Sequence, residues 1–501
     1  MTVDRRTPVI VGAGQVLRRD VPGGESCEPV GLMVEALRRA GQDSATGELL
    51  LRRADSVRCV PVIAWPYADV AALVADELGA RPAETVQSSA IGGDGPQLLV
   101  NDTCAAIAAG QLDVALLGGG EAVASMRAAQ LTEGAPRWRH QDESARPTRV
   151  LGEDRDPLNA AEAAAALHPP VFMYALLESA VRAASGADPQ THMRRIAGLW
   201  SRFSEVAVTN PHAWIRHAYT PAQIATPTPA NRLVSVPYTK LLTANMQVNM
   251  ASALIVCSAA AAEQAGVPKD RWVFVHAGAQ AQDEWHVSER AELAASPAIR
   301  AVCAGALSHA NVTVDEVAHI DLYSCFPSAV QIAARELGLA IDDPARPLTV
   351  TGGLTFAGGP GNNYTGHAIA TLVHRLREDS HAYGLATALG WYVTKHAAGV
   401  YSARPPDKPF ASLDGRPQLP PPRRAHTDYH GPATIEAYTV TYQRDGSPEA
   451  AIISALTPEG ERALVRTSRE NVVGAVLDTD PIGWRVNLSG AADFEPVSSR
   501  V

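Results

Sequence analysis

Ser88-Ser-Ala-Ile-Gly-Gly-Asp-Gly-Pro-Gln97, followed by a stretch of small residues and then by Asp113-Val-Ala-Leu-Leu-Gly-Gly-Gly-Glu121, is the part of this chain whose reading decides its fold. The first run is a Gly-rich turn leading into a helix, because Gly supplies the backbone freedom for the reversal and the Ala-rich continuation favours helix. The second is a short apolar run bounded by Gly, which reads as a buried strand. A turn at a helix start is where a nucleophile is mounted when its pKa must fall. Here the centre of the turn is Gly92. The layout is present and the nucleophile is not.

Working outward, the same patterns recur. Val9-Ile-Val-Gly-Ala-Gly14 is repeated by Val273-Phe-Val-His-Ala-Gly278, each a buried strand entering a Gly turn. Gly95-Pro-Gln-Leu-Leu-Val-Asn101 is matched by Gly361-Asn-Asn-Tyr-Thr-Gly-His367 at nearly the same separation, and Ala54–Val60 is matched less tightly by Val317–Tyr323. Unrelated coincidences do not share an offset. The fold class expected is therefore α/β, with two duplicated halves whose parallel or mixed sheets are covered by helices. The first half takes residues 1–270 and the second 271–403. Residues 125–237, which contain the helical Pro170–Arg182, are too long for a loop and read as an inserted lid subdomain. Residues 404–424 form a stiff Pro-rich linker, with Pro405-Pro-Asp-Lys-Pro409 and Leu419-Pro-Pro-Pro-Arg-Arg424. Beyond it, Ala433–Tyr442, a turn at Arg444-Asp-Gly-Ser447, Ala450–Leu456, Glu459–Arg466 and Gly474–Leu477 are expected as strands of a small all-β domain over 425–501, compatible with a five-stranded OB-like barrel.

Composition narrows the function. Lys plus Arg is 43 against 53 Asp plus Glu, a net charge of −10, which argues against a general nucleic-acid surface. An anionic ligand such as an acyl-CoA would need a local basic patch. The six Cys are scattered without CxxC spacing, so reduced thiols, no metal site and a cytoplasmic setting are expected. No apolar run approaches ~18 residues, and Arg5-Arg6 runs directly into a strand, so neither a membrane span nor a signal peptide is expected.

The duplication, the Gly-Gly-Glu strand end and the long insertion together resemble the thiolase superfamily, in its sterol-carrier-protein-type and mycobacterial thiolase-like branches, over about residues 5–403. Pro237-Tyr-Thr-Lys-Leu-Leu242 and Asn249–Ser258 resemble the segment that closes the family's first half, and Asp321-Leu-Tyr-Ser-Cys-Phe-Pro327 stands where that branch carries His-Asp-Cys-Phe. The resemblance implies a CoA thioester as ligand, with no covalently held cofactor, and a relation to acetyl-CoA acetyltransferases. It also implies three losses. The nucleophilic Cys falls on Gly92, the His of Gly-His-Pro on Gly359, and the Cys of a late Cys-x-Gly on Ala388. Without a thiol at Gly92 no acyl-enzyme forms, and Gly359 has no side chain to donate to an enolate oxygen. Ordinary thiolysis and Claisen condensation are not expected.

What remains as candidate machinery is Cys325 as an acid/base, although a Cys after a buried strand is more often a small core residue, and the hydroxyls of Tyr323 and Tyr364. Gly358, Gly361 and Asn362 belong to a Gly-rich run that either forms an anion nest or is a tight turn between the halves. Trp214 and Arg216, with Arg194 and Arg195, supply aromatic and basic groups where the lid of the family meets CoA. His319 is expected to share a strand face with Asp321, and His367 a helix face with Tyr364. Three functions compete: an acyl-CoA-binding homologue deficient in condensation, a retro-aldolase on the same scaffold acting on a β-hydroxyacyl-CoA with Tyr323 or Tyr364 as base, and a non-catalytic assembly protein working through its C-terminal barrel. A dimer and a monomer are both compatible with the sequence.

Overall fold

The computed structural model describes residues 3–19, 27–132, 134–142 and 144–498. Strand Pro8–Leu17 is buried along nearly its whole length, as its β-branched residues demand. A Cβ on its Gly12 or Gly14 would collide with the carbonyl oxygens of Ala40 and Ala36 in helix Pro29–Asp43. The Gly-Ala-Gly run therefore lets a helix backbone lie directly on the strand.

This strand is the seam of the molecule. It pairs antiparallel with Asn249–Ser258 and, through Val9 and Ile10, with Val273–Gln282. Outward from the seam, one half runs Pro8–Leu17, Asn249–Ser258, Val114–Ala122, Ser56–Cys59, Glu84–Ser88. The other runs Val273–Gln282, Lys395–Ser402, Tyr383–Gly390, Val317–Asp321. Both halves thus place first, last, last-but-one and second strands in the same order, which is the expected duplication. Helices Gly95–Ala108 and Tyr364–Glu378, which follow the two Gly-rich turns, touch each other and pack on strands of both halves. Each also reaches into the other half: Asn101 Nδ2 donates to Ala279 O, and His367 Nδ1 bonds Gln15 Oε1 at 2.8 Å. Small residues suit helices enclosed on every side.

The insertion holds helices Pro170–Ser185 and Pro189–Thr209, the first of which includes the expected helix from Pro170. Their apolar faces join one continuous core with the second half and with Ala437, Ile452 and Leu464 of the C-terminal region. A short strand of the insertion, Arg149–Leu151, pairs parallel with Glu84–Ser88 and covers the outer edge of the first half's sheet. Within the Pro-rich segment, Ser412–Asp414 adds a parallel strand to Val273–Gln282.

The C-terminal strands are Ala425–His426, Arg462–Thr467, Pro448–Leu456, His430–Tyr442, Arg485–Ser489 and Phe494–Ser498, in that spatial order. Among the described residues no pairing joins the first of these to the last. Gly474–Leu477, expected as strand, lies instead in the helix Glu470–Asp478. Its buried Val472, Val473 and Val476 recur at helical spacing and cover one face of the sheet. No helix among the described residues is long and apolar enough to cross a membrane, and none of their His, Cys, Asp and Glu side chains cluster in a metal-binding group.

Candidate functional site

Strand Glu84–Ser88 ends in the turn that contains Gly92, and helix Gly95–Ala108 starts with Pro96 in its first turn. One amide from the other half holds this turn. Asn362 Oδ1 accepts from Gly92 N at 2.8 Å, while its Nδ2 donates to Ala90 O at 2.9 Å and Pro61 O at 3.0 Å. The space a side chain at position 92 would use is occupied. A Cβ there would collide with Asp94 Oδ1 and come within 2.7 Å of Lys395 Nζ. Lys395, 3% exposed, donates to Ser89 Oγ at 2.9 Å and Ile91 O at 2.8 Å, and its ammonium lies 3.5 Å from Asp94 Oδ1. Burial raises the Asp94 carboxyl above its usual range, and Lys395 opposes that rise. Behind the pair lies a polar cavity of about 430 Å³. Sequence reasoning missed Lys395. Its signal was a lone charge entering the apolar strand Lys395–Ser402.

In front of Gly92 opens a cavity of about 790 Å³, with Gly92, Gly93, Tyr323, Cys325, Gly359, Gly361 and Asn362 in its wall. Cys325 and Tyr323, two of the candidates read from the sequence, thus share this wall. Burial pushes the Cys325 thiol up to about 12, so it stays protonated at neutral pH. Burial likewise lifts the Tyr323 phenol well above its ordinary range, and the nearby Cys325 and Asp94 add to the rise. Tyr323 is a neutral group that can donate a hydrogen bond, and a poor base.

Tyr364 is a correction. It is fully buried behind the cavity wall, donates to Asp321 Oδ1 at 2.9 Å, and shares a 2.7 Å hydrogen bond with Thr351 Oγ1. Asp321, pushed up to about 6 by burial, is satisfied there by Thr349 and the Val350 N–H as well. Ala388 is another correction. The alternation of strand Tyr383–Gly390 turns Ala388 away, and its neighbour Leu389 lines the cavity.

The Gly-rich run is a tight turn and not an anion nest. Gly359 N donates to Asn245 O and Gly361 N to Gly359 O, so neither amide is left for a ligand. Gly358, at φ +111, packs its Cα against Met250 and Val248 and does not line the cavity. Gly361, at φ +54, packs against Glu121, whose carboxylate accepts from Ile63 N at 2.5 Å and Ala64 N at 3.3 Å. Burial pushes Glu121 up to about 7. Trp214 and Arg216 also lie outside the cavity. The backbone of Trp214 pairs with Ala357, and the exposed Arg216 donates to Val208 O. Arg194 and Arg195 are on a solvated helix face. His319 lies 3.5 Å from Asp379 and not beside Asp321, and burial lowers His367 to about 3, a neutral core histidine.

The basic groups come from elsewhere. Arg127, Arg232, Lys240 and Arg444 line the cavity, and no Asp or Glu does. They come from three segments: Arg127, the hairpin bracketed by Arg232 and Lys240, and Arg444 in the C-terminal region, so no local pattern could have joined all of them. Pro170, Val171, Phe326, Leu354 and Met246 make much of the remaining wall apolar. An apolar chamber with a cationic mouth suits a ligand with a phosphorylated head and a slender uncharged arm.

Residues 418–490 match the domain family described as "Thiolase-like protein type 1 additional C-terminal domain". A monomeric SCP2-thiolase-like protein type 1 from Mycobacterium smegmatis is 31% identical, with 98% of each chain covered and a TM-score of 0.82. The Ltp2-ChsH2(DUF35) aldolase shares 17% identity over 80% of this chain and 98% of its own, with a TM-score of 0.59. The Acat5 thiolase of Ascaris suum, solved in complex with coenzyme A, shares 14% over 79% and 99%, with a TM-score of 0.55. The last two likenesses are of fold alone. No curated protein matches the sequence.

Proposed function

This chain belongs to the SCP2-thiolase-like proteins of type 1, and from that premise we propose that it binds a CoA thioester in the 790 Å³ cavity without forming an acyl-enzyme. The observation that carries the reading is the cavity's mouth, with Arg127, Arg232, Lys240 and Arg444 and no acidic residue, in a chain of net charge −10. Phosphates prefer such a site, and an acyl-pantetheine arm suits an apolar interior. Transfer chemistry is opposed at each step that thiolysis needs. Position 92 carries no side chain, Lys395 fills the adjoining space, and Cys325 is held as the thiol. The amide of Gly359 is already bonded to Asn245 O.

The aldolase reading requires a base. Tyr364 is outside the cavity, and the burial of Tyr323 keeps its proton on, which leaves it as a donor to a thioester carbonyl. An assembly role through the C-terminal strands is weakened because one face of that sheet is covered by its own helix and the other packs on the insertion. A cytoplasmic setting, where CoA thioesters and reduced thiols coexist, goes with binding.

Acetyl-CoA at a hundredfold excess over its Kd is expected to stabilise the chain by about 2.7 kcal/mol, read as a rise in Tm. Mass spectrometry of the incubated protein should find no acyl adduct and no condensation or cleavage product. No rise in Tm at millimolar acetyl-CoA rejects the reading, and turnover of a β-hydroxyacyl-CoA that is lost in Tyr323→Phe replaces it with the aldolase.

A further inference from the structure

The C-terminal region contributes to the cavity as well as to the fold. Strand Leu233–Ser235 of the insertion meets strand His430–Tyr442 antiparallel, with Ser235 opposite Thr441 and Val236 N donating to Val440 O at 2.9 Å. Arg232 directly precedes the first of these strands and Arg444 lies in the turn that follows the second, so the pairing carries both to the same end of the seam, and both line the cavity. Like charges facing each other across paired segments repel. Nothing in the local structure calls for the second of them. The turn after Tyr442 is built by Gln443 N donating to Ser447 O, by Ser447 N donating to Asp445 Oδ1 at 2.9 Å, and by Gly446 at φ +90. That geometry accepts any residue at 444. Among the described residues neither Arg232 nor Arg444 is within ion-pair distance of a carboxylate, and Asp445 Oδ1 accepts instead from the Ser447 backbone and hydroxyl. The nearest polar contact of Arg232 is the carbonyl of Leu233.

We infer that Arg232 and Arg444 form a phosphate clamp across the seam between the insertion and the C-terminal region, so that this region completes the ligand site. The inference rests on the reading that the cavity takes a phosphate-bearing thioester, and it assigns the phosphate end to these two side chains. A bridging phosphate accepts from both guanidinium groups and converts a repulsive pair into an attractive triad. The seam is held firmly enough to keep the clamp in place. Arg182 makes a two-point ion pair with Asp480 at 2.7 and 2.9 Å, and Tyr438 N donates to Ser179 Oγ at 2.8 Å. The thioester end would then point inward toward Gly92 and Tyr323.

The test compares wild type with Arg444→Glu and Arg232→Glu, using three probes: acetyl-CoA, pantetheine, which lacks phosphates, and adenosine bisphosphate, which lacks the pantetheine arm. Each variant should lose about tenfold or more in acetyl-CoA and adenosine bisphosphate affinity while pantetheine binding is unchanged. The loss should shrink as salt is raised, because the mouth is exposed. Without ligand, Arg444→Glu should keep or slightly raise Tm, since it turns a like-charge pair into an opposite one, and this separates loss of the clamp from loss of folding. Wild-type affinity for acetyl-CoA that both variants retain overturns the clamp and leaves the proposed function standing. Adenosine bisphosphate binding that falls in the variants, with no binding of acetyl-CoA, supports the clamp and removes the thioester reading. Failure of all three probes to bind wild type removes both.

Discussion

A cysteine at position 92 would have to displace Lys395. The ammonium occupies the space beside the Gly92 Cα and is held by Ser89, Ile91 O and Asp94, so the structure leaves no room for a side chain at this position. Gly92→Cys is expected to cost about 1–3 kcal/mol through overpacking and disruption of the buried pair, measured by denaturant unfolding, and to leave thiolysis absent. Thiolytic turnover in that single variant would contradict this account. Glu121 offers a pH test at the same scale. Its proton is held more tightly in the folded chain, at about 7, than at the ordinary 4.5, so its stabilising contribution is full below 4.5 and is lost as pH rises through 7. Glu121→Gln should flatten that decline relative to wild type, by up to about 3 kcal/mol across the window. His212, His276 and His367, lowered by burial to about 4, 4 and 3, act in the opposite sense but are common to both proteins. Equal slopes of Tm against pH in the two proteins would remove the role given to Glu121.

At the scale of elements, the most consequential piece is also among the shortest. Arg149–Leu151 covers the edge of Glu84–Ser88, and Ser89 N donates to Leu151 O. A charged network secures it: the fully buried Arg58 pairs with Asp102 and with Glu84 at 2.6 Å, and Arg149 reaches Asp102 at 2.8 Å. An uncovered edge is a template for pairing with another chain. Val150→Pro, which disrupts the covering strand, is expected to raise self-association above the wild-type level in light scattering. A variant that loses the strand and associates no more than wild type would show that the edge is protected by something else.

At the scale of the molecule, the halves, the insertion and the C-terminal sheet share apolar contacts, and one ion pair marks where they depend on each other. Arg182 is 7% exposed and Asp480 17%. Asp480→Ala leaves a nearly buried guanidinium unpaired and should lower stability by about 3 kcal/mol, seen as a lower Tm. Because the same seam holds Arg444 over the cavity, acetyl-CoA affinity should fall with it. Unchanged Tm and unchanged affinity together would mean that the C-terminal region is docked without help from this contact.

The sequence by itself determined the duplicated α/β halves and a largely β C-terminal region, because hydrophobic runs, Gly turns and their common offset are local signals that survive without any contact information. It also showed that position 92 carries no side chain, which is visible in one dimension. The helix at Glu470–Asp478 was misread as strand where a short apolar run fits both periods. Only the tertiary structure decided the rest. Tyr364 was chosen for its hydroxyl and Ala388 by motif, but which way a side chain faces depends on the packing of elements distant in sequence. Lys395 stands beside Gly92, and Arg127 and Arg444 share one cavity with the Arg232–Lys240 hairpin, only because segments far apart along the chain are packed together, and no spacing in the sequence encodes that proximity.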